Sequence, residues 1–169
     1  MAQPGPLPQV PPFLLDRLTS ERPQTAAGSG GAFAPPRSLL RESLLRDLNW
    51  LLNSTNLEAT HDLAAYPHVR RSVINFGVGT LAGASVSALD RVEIESAIRD
   101  AIVHFEPRML AESVEVRCVV EPSTHPLRSK LSLEISAQLR SCEAQQTFRL
   151  DSEIDLESGH IALRSHGNG

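Results

Sequence analysis

The stretch "AIRDAIVHFEPRMLAESVEVRCVV", residues 97–120, decides the fold, because the spacing of its apolar residues changes within it. Up to Pro107, Ile94, Ala97, Ile98, Ala101, Ile102 and Phe105 recur at the spacing of one helix face. After Arg108, Val114, Val116, Cys118 and Val120 alternate with Glu115, Arg117 and Val119, the period of a strand. Pro107 has no amide proton and disfavours helical geometry at Glu106, so the helix ends at about Phe105. The segment "HFEPRML", residues 104–110, is therefore a joint between helix and sheet, and it carries opposite charges at Glu106 and Arg108.

Upstream, Leu40, Leu44, Leu48, Leu51 and Leu52 form an apolar stripe opposite Arg41, Glu42, Arg46, Asp47 and Asn49. This spacing predicts an amphipathic helix capped by Ser38 and ended by "NSTN" at 53–56, with Trp50 at the margin of the buried face. Val69, Val73, Ile74 and Phe76 suggest a short helix closed by Gly77 in the left-handed cap position. Gly77, Gly79 and Gly83 miss a dinucleotide fingerprint, since the third glycine is one residue too far along and no strand leads in. Ser87 and Asp90 approximate a capping box for the next helix.

Downstream, Leu131, Leu133, Ile135, Ala137 and Leu139 alternate with Ser132, Glu134, Ser136 and Gln138. A third run alternates from Phe148 and Leu150 to Ile154 and Leu156, and "SGH" turns it into a short last strand, "IALR". Helices followed by strands predict an α+β domain, with amphipathic helices packed on one face of a mainly antiparallel sheet. The polar opposite face is left for solvent or a partner.

The Pro- and Gly-rich residues 1–36 are expected to be a flexible extension, interrupted at 13–19 by one apolar helical turn with Phe13, Leu14, Leu15 and Leu18. That turn either docks on a partner or folds back on its own domain, which spans residues 37–165 before a tail at 166–169. A net charge of −4 without a basic run argues against nucleic acid as a partner. Cys118 and Cys142 form no CxxC and read as reduced thiols. With neither a signal pattern nor an apolar run of spanning length, the chain reads as cytoplasmic, without membrane insertion.

Six histidines show no HxH or HExxH spacing and no GxSxG frames a nucleophile, so neither a metal nor a cofactor is expected. Glu106 is the tempting acid for a two-carboxylate glycosidase, but Arg108 so close by favours the ionised carboxylate, the wrong form for an acid. As a surface ion pair Glu106 and Arg108 would contribute about 0 to 1 kcal/mol. Alternatively, Pro107 fixes the corner so that both charges project toward a partner, where they can contribute several kcal/mol. On the residues alone both readings stay open.

In their order and separation, "RDLNWLLN" (46–53), "YPHVRRSVINFGVGTLAG" (66–83) and "AIRDAIVHFEPRM" (97–109) resemble the TssE family of type VI secretion baseplate subunits. That family is related to a tailed-phage baseplate wedge protein. The resemblance covers roughly residues 38–165 and includes "LLDRL" at 14–18. It implies a non-catalytic baseplate wedge subunit of a contractile injection machine, at the cytoplasmic face of the inner membrane when assembled. The implied partners are TssF, TssG and TssK of the wedge and the sheath proteins TssB and TssC, whose assembly the subunit helps to start. The family's Glu-Pro-Arg falls on Glu106, Pro107 and Arg108, which would clamp onto the wedge core, with Leu14, Leu15 and Leu18 as a second contact. Its Asn-Tyr-Gly turn falls on Asn75, Phe76 and Gly77, with Phe76 in place of Tyr, and Gly79-Thr80 stands where the family often reads Pro-Asp. The historical label "lysozyme-like" has no chemical support here. A muramidase using Glu106, or a cytosolic adaptor on the same fold, are the alternative readings.

Overall fold

The change of period at Pro107 is a change of layer. A computed structural model describes residues 37–83, 88–119, 130–140 and 146–164. Three α-helices come first: α1 (Arg37–Leu52), α2 (Pro67–Arg70) and α3 (Ala88–Phe105). Four strands follow: β1 (Glu115–Val119), β2 (Lys130–Leu139), β3 (Gln146–Asp155) and β4 (Ile161–Arg164). They pair in sequence order as an antiparallel meander. α3 packs on β1, while α1 packs on α3 and β4, so the fold is α+β with both long helices on one face of the sheet. The expectations on Leu14, Leu15, Leu18, Ser87 and Cys142, and on segments 1–36 and 166–169, lie outside the described residues.

The core is where the two periodicities meet. Leu44, Leu48, Leu51 and Leu52 of α1 and Ile94, Ile98, Ala101 and Ile102 of α3 are buried against Leu131, Leu133, Ile135, Phe148, Leu150 and Ile154. α3 stops at Phe105, where the missing amide of Pro107 requires it.

Several expectations are corrected. α1 begins at Arg37, so Ser38 lies inside the first turn and not ahead of it. Trp50 is 51% exposed, with the Arg46 guanidinium 5.5 Å from its ring centre. Ala97, at the edge of the α3 stripe, faces solvent. In place of one short helix closed by Gly77, α2 ends after four residues and a separate 3-10 turn spans Val73–Asn75. The cause is local: the Ser72 hydroxyl donates to the Val69 carbonyl and accepts from the Ile74 amide, offering the backbone an alternative to continued helix. Val73 and Ile74 consequently point outward, 81% and 66% exposed.

The two edges of the sheet differ. Along the outer side of β1, Glu95 of α3 accepts the Cys118 amide at 2.7 Å and Arg99 donates to the Val114 carbonyl at 3.2 Å. At the other edge, the Asp155 amide donates to the His160 carbonyl, which points His160 toward β3, so by alternation Ile161 and Leu163 turn their backbone groups outward. The Asn53 side chain brackets Ile161, its Oδ1 accepting the amide and its Nδ2 donating to the carbonyl, both at 2.9 Å. Leu163 has no such bracket among the described residues.

Cys118 is a free thiol facing α3, with Sγ 3.8 Å from the Arg91 carbonyl oxygen. Burial, followed by the Glu95 carboxylate, pushes its pKa up from 9.0 to about 12. Between those values the folded chain keeps a proton that the unfolded chain releases, so this group makes stability fall as pH rises through that window. We expect Cys118→Ala to flatten that part of the pH profile of urea unfolding. A slope identical to that of the unaltered chain would contradict the assignment.

Candidate partner-docking corner

The corner after α3 is fixed before its side chains are considered. The Glu106 amide closes the last helical turn onto the Ile102 carbonyl at 2.9 Å, and the Met109 amide turns back to the Glu106 carbonyl. The Arg108 carbonyl accepts the Arg140 amide at 2.7 Å and the Leu110 amide donates to the Gln138 carbonyl at 2.8 Å, which stitches the corner to the end of β2. Pro107 is exposed at the tip.

Glu106 and Arg108 do not project. Each is only 4% exposed. Glu106 Oε1 accepts the Arg108 amide at 3.1 Å and Nε at 2.6 Å, and Oε2 accepts Nη2 at 2.5 Å, a two-pronged pairing of guanidinium and carboxylate. The guanidinium also reaches α1, donating from Nη1 to Ser43 Oγ at 3.0 Å and from Nη2 to Asp47 Oδ2 at 2.7 Å. The expected projecting pair is thus corrected to an internal clamp. The physical reason is that α1 supplies the remaining acceptors, so the charges leave water with their hydrogen bonds made. Asp47 carries the network outward by accepting from Arg46 Nε at 3.1 Å, and Arg46 lies over the exposed Trp50 ring. Two carboxylates and two guanidiniums thereby sum to zero charge from the interior to the surface.

The Asn75-Phe76-Gly77 turn supports the same region. Asn75 is buried, accepting the Glu58 amide at 2.9 Å and donating to the Arg70 carbonyl at 3.0 Å. Phe76 meets Phe105 edge to face with ring centres 5.3 Å apart, which ties the turn to the last residue of α3. Gly77 adopts φ +122°, and an added Cβ would stand 2.2 Å from the Ser54 carbonyl oxygen. That close approach lets the Val78 amide donate to Ser54 and the Val78 carbonyl accept from Asn56.

The clamped corner thus comprises Glu106 and Arg108 with two side chains of α1, and the Asn75-Phe76-Gly77 turn adjoins it through Phe105 and reaches the chain just past α1 at Ser54. Ser43 and Asp47 were not anticipated as part of it. A hydroxyl at position 43, inside a stripe otherwise made of leucines, was the available signal for Ser43. Asp47 gave none, since it reads like any charge on a solvated helix face. Among the described residues no three His, Cys, Asp or Glu side chains are grouped to hold a metal ion.

Two helices on one face of a four-stranded meander, joined through a clamped Glu-Pro-Arg corner, fall within a segment whose family match is to structural proteins of the phage-tail baseplate type. The chain belongs to the family of the baseplate wedge protein gp25, whose family model matches residues 38–144. No curated protein and no solved structure matches the chain significantly.

We expect Arg108→Met to lower stability in urea unfolding by about 3 to 5 kcal/mol, because it strands a buried carboxylate. Adding Glu106→Gln should recover part of that loss, and no recovery would count against the clamp. Gly77→Ala should cost about 2 kcal/mol or more, through strain at positive φ and the clash with Ser54. An unchanged unfolding midpoint would contradict this.

Proposed function

We propose that the chain is a wedge subunit of a type VI secretion baseplate, docking on TssF, TssG and TssK and offering TssB and TssC a place to begin the sheath. The observation that carries the reading is the corner, lying within the segment that matches the baseplate wedge family. The buried clamp of Glu106 and Arg108 sets the shape of the corner, and the contact surface is its rim: Pro107, Arg46, Asp47 and Trp50. Such a rim has the composition of an interface anchor, with an exposed tryptophan and an arginine already stacked. Glu106, Pro107 and Arg108 thus act in docking by holding the rim, and Leu14, Leu15 and Leu18 add an apolar contact.

The open part of β4 at Leu163 supports the sheath role, since outward amide and carbonyl groups there match an added strand. A non-catalytic role is supported by chemistry. All three hydrogen bonds that hold the Glu106 carboxylate come from Arg108, so it faces no substrate as an acid. A shallow cleft beside Ser54, Thr80 and His160 is lined by no carboxylate, whereas glycoside hydrolysis requires two. The proposed place of the assembled subunit is the cytoplasmic face of the inner membrane, and no helix among the described residues is long and apolar enough to cross that membrane.

Titration of the full chain against co-purified TssF–TssG tests the docking. Trp50→Ala, which leaves the Arg46–Asp47 pair in place, should weaken binding about tenfold or more at unchanged Tm. Equal affinity would sink the rim as the contact. Leu163→Pro removes one outward amide while sparing the β3 ladder, and should block sheath assembly without loss of wedge binding. Peptidoglycan turnover abolished by Glu106→Gln would overturn the structural role altogether.

A further inference from the structure

Val73 and Ile74 present adjacent β-branched side chains to water from a turn that is held firmly on every side. The Ser72 hydroxyl caps the Ile74 amide, and Asn75 bonds to Glu58 and Arg70 from its buried position. The Arg71 carbonyl lies 2.6 Å from His104 Nε2, which must carry the proton and donate, and Phe76 rests on Phe105. With its backbone bonded on both sides, the turn keeps these aliphatic tips outward, and a partner would bind it at little cost in ordering.

The surroundings select the partner's chemistry. From Tyr66 to Ile74 the chain has no acidic residue but carries His68, Arg70 and Arg71, in a protein whose net charge is −4. Arg70 is held by Glu58 at 2.9 Å. The exposed Arg71 guanidinium has no ion-pair partner among the described residues. His104, also exposed, borders the same surface through its contact with the Arg71 carbonyl.

We propose that Arg71, Val73 and Ile74 form a docking knob that seats in an apolar cleft rimmed by carboxylates on a neighbouring protein of the assembly. The wedge role above supplies the neighbour, but the knob is distinct from the rim around Trp50. Exposed contiguous apolar groups bordered by one sign of charge mark such interfaces, and the complementary charge on the partner sets register and on-rate.

The test titrates the full chain against TssF–TssG at low and high salt. Val73→Ser with Ile74→Ser should weaken binding about tenfold or more at unchanged Tm. Arg71→Glu should weaken it most at low salt and be rescued by a carboxylate-to-lysine change on the partner. If the unaltered chain binds and the double serine variant binds equally well, the knob is wrong while the wedge role stands. If the unaltered chain does not bind, the wedge role fails and takes the knob with it. A lower Tm in the double serine variant would mean that these side chains pack within the chain itself, which also overturns the proposal. So would loss of self-association in place of loss of partner binding.

Discussion

The guanidinium of Arg108 is the one group on which both layers depend. It takes up the Glu106 carboxylate from the end of α3 and reaches Ser43 and Asp47 on α1, while its own backbone carbonyl receives an amide from the strand end at Arg140. Apolar packing between α1 and α3 would tolerate a small slide of one helix along the other, because leucine and isoleucine stripes are approximately self-similar. A planar fork with fixed hydrogen-bond directions does not, so the clamp selects one axial position of α1 against the corner. Removing either partner is costly because the other is left charged in a dry place.

The clamp also explains why a charged motif is invisible at the surface yet shapes it. Charge alternates from Glu106 through Arg108 and Asp47 to Arg46, so the orientation of Arg46 over Trp50 is set from inside the protein. The turn at Asn75 works similarly, using a buried amide to fix the outward direction of Val73 and Ile74. In both places satisfied interior polar groups position exterior ones.

The sequence made the layers legible because period reports burial directly. The alternation in 131–139 maps residue for residue onto the buried face of β2, and Pro107 marked the end of α3 through the amide it lacks. What period does not report is hydrogen bonding between distant positions. Arg108 lies 61 and 65 residues from its α1 partners, so nothing local distinguished an internal clamp from a projecting pair. The placement of Val73 and Ile74 failed for the opposite reason. There a short-range bond from Ser72 overrode the helical spacing, and apolar residues that looked like a core stripe became a surface. The family resemblance pointed to this corner without showing that its charges face inward.

Asn53 has a consequence of a different kind. A carboxamide carries the donor and acceptor of a peptide group, so at Ile161 the sheet already has a one-residue imitation of a fifth strand, supplied by the residue that follows α1. With Glu95 and Arg99 occupying the far side of β1, the two borders are not equivalent. The sheet has a polarity: side chains of α3 meet the β1 border at Val114 and Cys118, and on the β4 border the outward groups at Ile161 are occupied while those at Leu163, among the described residues, are not. A strand added from outside along β4 would meet its first unoccupied pairing position at Leu163, so the side chain of Asn53 would fix its register much as a primer fixes where a polymer starts.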